Sequence, residues 1–136
     1  MSPEAADYLE TAHPALDVSR RSLTAEIYET AAREAYIAAL NAARAVIFDM
    51  KQIAPKSHSG TRSQFFLLIE QGLDFDRKLA GFLARGFDIK QKLDYGPWAD
   101  VDAADAQNYL EQAETFVAAA KAICDAGKDS AARSRN

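Results

Sequence analysis

The spacing of apolar residues constrains this chain more than any other feature. Between Thr24 and Met50, the residues Tyr36, Ala39, Leu40, Ala43, Val46, Ile47 and Met50 recur every three or four positions along one stripe. This is the period of a helix with one buried face. Leu110, Ala113, Phe116, Val117, Ala120, Ile123 and Cys124 repeat the pattern, with Asp102 placed to cap that helix and Gly127 placed to stop it. Leu79, Phe82, Leu83, Gly86, Ile89 and Leu93 form a third stripe. Phe65, Phe66, Leu68 and Ile69 mark a shorter element after the loop Ala54 to Gly60, where Ser57 or Ser59 can act as the cap. Pro14 removes one backbone hydrogen bond from a helix running through Tyr8 to Val18, so the first helix is expected to begin at Pro14 or to kink there. No segment alternates with period two. Helices with one apolar face each hide those faces most simply in an antiparallel bundle, which predicts an all-α fold of about five helices.

A chain of 136 residues with 49% apolar content has room for one core. The domain is read as residues 1–127, with 128–136, small and polar, as a flexible C-terminal tail. Charged residues interrupt every apolar stretch well short of the ~18 positions a membrane span needs. Glu4, Asp7 and Glu10 at the start do not resemble a signal peptide, so the cytoplasm is the expected compartment. Cys124 is the single cysteine; it excludes an internal disulfide and provides no metal-ligand spacing. Alanines 31, 32, 35, 38, 39, 42, 43 and 45 either permit close helix approach on a second face, as at a subunit interface, or fill surface positions with a good helix former.

Net charge is −4, yet Met50 to Lys92 holds eight basic and four acidic residues, a local +4 that leaves −8 for the rest of the chain. Such a middle segment can face a phosphate; alternatively its charges are only solvated helix faces. Gly-rich phosphate loops, Gly-x-Ser-x-Gly elbows and zinc-binding histidine pairs do not occur in the sequence, and neither a metal nor a cofactor is expected. Two groups of residues can carry chemistry. His58 lies in a basic loop with Lys56 and Arg62 nearby and can contact a phosphate or simply fix the loop. Lys90 and Asp94 are four apart, followed by Tyr95 and Gly96 where Pro97 should end the helix. A cation, a carboxylate and a phenol at one helix end can orient a phosphodiester, or they can be an ordinary surface ion pair beside an aromatic ring.

Four segments occur in a telling order: Glu34 to Val46, the loop Lys56-Ser57-His58-Ser59-Gly60, the run Ile89 to Gly96 with its Asp-Tyr-Gly, and Ala113 to Val117. Together they resemble the HEPN domain family over roughly residues 20–125, and specifically its small prokaryotic branch often encoded beside a minimal nucleotidyltransferase. The resemblance implies a homodimer with a cleft between subunits. It also implies a partner of the nucleotidyltransferase type, and an activity ranging from RNA or nucleotide binding to metal-independent endoribonuclease action, frequently as a toxin. The family's active motif is an Arg followed within a turn or two by His, seen in this branch as Arg followed by Asp-Tyr. Here Lys90 stands where the Arg is expected, Asp94 and Tyr95 match, no His follows Lys90, and Asn41 stands where the long helix often carries His.

Cleaving RNA without a metal needs a base for the 2′-hydroxyl and a rigid cation for the phosphorane. A Lys lacks the planar fork of an Arg, and a phenol titrating near ~10 is a poor base at neutral pH. Three functions remain open: a ribonuclease using Lys90, Asp94 and Tyr95 with His58 assisting; a binding module with weak or lost catalysis using the same cleft; and a helical scaffold. The missing His favours the second over the first, and the basic middle favours both over the third.

Overall fold

The computed structural model describes residues 1–96 and 100–134, with side chains up to Gly127. It contains α1 (Pro3–Thr24), α2 (Tyr28–Lys51), α3 (His58–Glu70), the single turn α4 (Arg77–Ala80), α5 (Phe82–Tyr95) and α6 (Ala103–Ser134). No strand occurs among the described residues, and the fold is an all-α bundle of five helices with α4 as a connector. Among the described residues, no helix is long and apolar enough to cross a membrane.

Helix α1 begins well before Pro14, because Ser2 accepts a hydrogen bond from the Ala5 amide (3.1 Å) and Pro3 occupies the first turn. It continues through Pro14 to Thr24. Pro14 lies on the exposed face, where water can satisfy the carbonyl it leaves unpaired, while Ala5, Leu9, Ala12, Ala15 and Leu16 carry the buried stripe across it. The expectation of a start at Pro14 is therefore corrected: the helix runs through it. Burial of that stripe outweighs the loss of one backbone bond.

Helix α2 is the central element. All eight alanines from Ala31 to Ala45 are buried within the single chain, none more than 2% exposed. They are not surface fillers; the reading of close helix approach on more than one face holds, with the faces taken by helices of the same chain. Their small side chains let α1 and α6 approach α2 closely on different sides. The buried hydroxyl of Ser19 on α1 donates to the Ala31 carbonyl (2.7 Å) and ties the two helices. Met50, read as the end of the core stripe, is instead 48% exposed at the last turn of α2.

Helix α3 is capped as expected, with Ser57 Oγ accepting from the Gly60 amide (2.9 Å). After it the chain reverses at Gly72, whose φ of 111° suits glycine. The reversal brings Phe75 against Phe65 (4.8 Å between ring centroids) and Phe116 (4.9 Å), the aromatic centre of the core. The third stripe, read as one element, is split at Gly81. Asp76 caps the short α4, and α5 restarts behind the glycine, the weakest helix former apart from proline.

Helix α5 ends at Tyr95, where the Gly96 amide donates to the Lys92 carbonyl (3.1 Å); Pro97, expected to stop it, lies outside the described residues. Asp102 and Asp105 cap the start of α6 reciprocally, Asp102 accepting from the Asp105 amide at 2.8 Å. Gly127 does not stop α6, which runs to Ser134. A Cβ at that glycine would lie 3.0 Å from a carboxylate oxygen at the end of the Asp49 side chain on α2.

Candidate functional site

Helix α2 presents Arg33, Tyr36 and Arg44 toward the start of α3 and the middle of α5. Tyr36 is almost fully buried, yet its hydroxyl lies 2.7 Å from Nδ1 of His58, the first residue of α3. The two rings stack at 5.6 Å with 19° between their planes, and Phe87 of α5 closes the group at 5.3 Å from the His58 ring. Gly86 lets α5 approach this closely, since a Cβ there would fall 2.6 Å from Tyr36 Cδ1. Arg62, one turn along α3, places its guanidinium 5.9 Å from the Phe87 ring centroid, within cation–π range.

Cations surround this aromatic cluster. Arg44 donates to the Lys56 carbonyl (2.9 Å) and to the Thr61 hydroxyl (3.3 Å), which fixes the loop preceding His58 to α2. Asp94 is shared by two cations, Lys90 Nζ at 2.5 Å on its own helix and Arg33 Nε at 3.2 Å on α2. The Lys90–Asp94 pair expected from their spacing is therefore present, and it is joined by a third residue from sixty-one positions away in the chain.

These surroundings set the protonation states. Burial pushes the Tyr36 phenol up to about 12, against the opposing pull of Arg44 and Arg62. Burial also lowers the His58 imidazole, and the charges of Lys90 and Arg44 lower it further while Asp94 acts the other way. The hydrogen bond from Lys90 holds the Asp94 carboxyl below its ordinary range. At neutral pH the cluster thus contains a neutral imidazole, an un-ionised phenol, a carboxylate and four fixed cations. Such a set can bind an anion by charge and hydrogen bonds.

Of the residues singled out in the sequence, His58, Lys90 and Asp94 lie close enough for their charges to act on one another, and Arg62 borders them through Phe87. Lys56 contributes its carbonyl to the Arg44 clamp while the residue itself is exposed. Tyr95 is 84% exposed at the end of α5 and makes no ring contact among the described residues. His13 is exposed on α1. Sequence reasoning missed Arg33, Tyr36, Arg44 and Phe87 as site residues. A polar tip on an otherwise apolar stripe, Tyr36 flanked by Arg33 and Arg44 on one helix face, was the available signal. Among the described residues, no group of His, Cys, Asp and Glu side chains is arranged to hold a metal ion.

A family model described as the HEPN domain matches residues 5–123. The chain belongs to the HEPN family. Comparison with curated proteins finds no match. Among solved structures, the crystal structure of TT1696 from Thermus thermophilus superposes with a TM-score of 0.75 and 19% sequence identity, covering 90% of this chain and 99% of that one. At that identity the likeness concerns the fold. The HEPN match spans all the residues that build the cluster between α2, α3 and α5, so the site is formed within the family domain.

Proposed function

We propose that this chain is the HEPN component of a two-gene toxin–antitoxin type system and that it binds RNA or a nucleotide and a nucleotidyltransferase partner through a dimer cleft that includes the cluster of α2, α3 and α5, with weak or lost catalysis. The observation that carries this reading is the convergence of Arg33, Arg44, Arg62 and Lys90 on one aromatic-lined site in a chain of net charge −4. With a repulsive global field, affinity for a phosphate backbone has to come from such a local cluster. The same geometry supports the reading of weak catalysis. Arg33 and Lys90 are both engaged by Asp94 and Arg44 by the loop, so charge is present but little of it is free to close on a phosphorane.

In this reading the protein works in the cytoplasm as a homodimer, with a nucleotidyltransferase-type protein as its partner. Tyr95, 84% exposed at the end of α5 beside Asp94, is where a second subunit or that partner can add contacts. Sedimentation at micromolar concentration is expected to give about twice the 14.9 kDa chain mass. A clean monomer would remove the two-subunit cleft.

The functional test compares the native chain, Lys90→Ala and Lys90→Arg for RNA binding and cleavage at two ionic strengths. Native binding without cleavage, weakening steeply with salt and further weakened by Lys90→Ala, is the expected result. Cleavage gained by Lys90→Arg marks a silenced ribonuclease and supports the binding reading. Cleavage by the native chain that Lys90→Ala abolishes establishes the endoribonuclease alternative instead. Identical behaviour of all three makes Lys90 a solvated surface charge and overturns the site.

A further inference from the structure

The contact between Tyr36 and His58 leaves one hydrogen to be placed, and its position decides what His58 can do. Tyr36 is 1% exposed, and Nδ1 of His58, at 2.7 Å, is the one hydrogen-bond partner of its hydroxyl among the described residues. A buried O–H without an acceptor costs about 1–3 kcal/mol. If Nδ1 carried a hydrogen and donated it to the phenol oxygen, the hydrogen of the phenol would have no acceptor. If the phenol donates to the Nδ1 lone pair, both groups are satisfied and the imidazole hydrogen sits on Nε2. Ionisation of the phenol offers no escape at neutral pH, because burial pushes its titration up to about 12.

The ring is held in orientation as well as in tautomer. It stacks on Tyr36 and tilts against Phe87, whose ring also lies 6.3 Å from Tyr36, and the close approach of α5 at Gly86 brings Phe87 into the group. The charged groups facing it are Arg44 from α2 and Lys90 and Asp94 from α5, with Arg62 of its own helix lying over Phe87. Two of the three charges acting on it directly are positive, so its surroundings favour the neutral ring.

We propose that Tyr36 is a positioning residue that fixes His58 as a neutral imidazole with its hydrogen on Nε2, so that His58 donates a hydrogen bond to a phosphate oxygen and has no lone pair free to act as a general base. This rests on the reading of the cleft as a phosphate site and deepens it. The ligand class is a phosphate ester whose oxygens take one neutral donor and neighbouring cations. A 2′-hydroxyl awaiting deprotonation finds no acceptor in this imidazole. The absence of a free base is then a property of the hydrogen bonding around His58 and adds to the absence of His after Lys90.

The test is the nitrogen chemistry of the ring, read by two-bond proton–nitrogen NMR on the full chain, with His58→Gln used to assign its signals apart from those of His13. In the native protein, Nδ1 is expected to be pyridine-like and Nε2 pyrrole-like across neutral pH. Tyr36→Phe keeps the aromatic packing and removes only the donor. It should move both nitrogens toward exchange-averaged positions and raise the titration midpoint of the ring, because a bond that stabilises the neutral form is gone. A pyrrole-like Nδ1 in the native chain, or a Tyr36→Phe variant with an unchanged ring, overturns the proposal. Titration of the native chain with inorganic phosphate separates this from the functional reading. Movement of the Nε2–H signal supports the donor role. An unmoved signal refutes the phosphate ligand and the cleft reading with it, and leaves the tautomer set by Tyr36 standing.

Discussion

Replacing Gly86 by Ala tests how tightly the site is bound to the fold. On an ordinary helix this change is favourable by about 1 kcal/mol, since alanine loses less backbone freedom. Here the added methyl would lie 2.6 Å from Cδ1 of Tyr36 and 3.0 Å from both its Cβ and Cγ. Those atoms belong to the root of a buried side chain and move only with the backbone of α2 or by rotating the ring out of its stack on His58. Overpacking of this kind costs about 1–3 kcal/mol, and the rigid root places it near the upper end. The balance is a destabilisation of about 2 kcal/mol, or about 8 °C in melting temperature at roughly 4 °C per kcal/mol for a domain of this size. Calorimetry measures the shift. Urea denaturation should show a lower midpoint at unchanged slope. A Gly86→Ala protein as stable as the native chain, or more stable, would refute the reasoning, because helix propensity would then have outweighed a contact taken to be unyielding.

Two further changes probe the flanks of the cleft. Ser57→Ala removes the acceptor for the Gly60 amide and should cost about 1 kcal/mol, with faster hydrogen exchange at the first turn of α3, where His58 sits; unchanged exchange there would show that Arg44 alone holds the loop. Asp94 titrates below its ordinary value of 3.8 in the fold, so the stability it contributes is present above that pH and is lost as pH falls through its lowered value. Asp94→Asn should therefore be less stable than the native chain at neutral pH, with the gap closing in acid denaturation series below pH 3.8, and a gap independent of pH would mean that the ion pairs to Lys90 and Arg33 contribute nothing to folding.

The bundle was legible because its information is local. Stripes at helical spacing, Ser57 ahead of α3 and Asp102 ahead of α6 each announce an element from within a few residues of it. Where the reading went astray, the deciding fact was three-dimensional. Pro14 is tolerated because it faces solvent, and Gly127 lies inside a helix that continues past it. The same distinction runs through the site. Lys90 and Asp94 pair across one helical turn and were visible; the Arg33 contact with that carboxylate joins α2 to α5 and was not. Tyr36 was assigned to the core by its spacing, which is where its ring lies, but spacing does not reveal that the hydroxyl reaches an imidazole on another helix. Family resemblance reached further than periodicity by marking the His58 loop and the end of α5, although neither Arg33 nor Phe87 lay in the segments that carried it.

The alanines of α2 have a consequence for how this protein can change over time. Each of these eight positions is buried where α2 packs on its neighbours, so a longer side chain there has to displace packed atoms. Substitutions there are therefore filtered by geometry before function is consulted. The half-exposed positions interleaved with them, Arg33, Glu34, Ile37 and Arg44, have room toward solvent, although Ile37 also packs against the core. Two of those four are cations beside the Tyr36–His58 cluster. The helix divides into a scaffold that tolerates little change in volume and a narrow half-exposed strip where side chains can change without repacking the bundle.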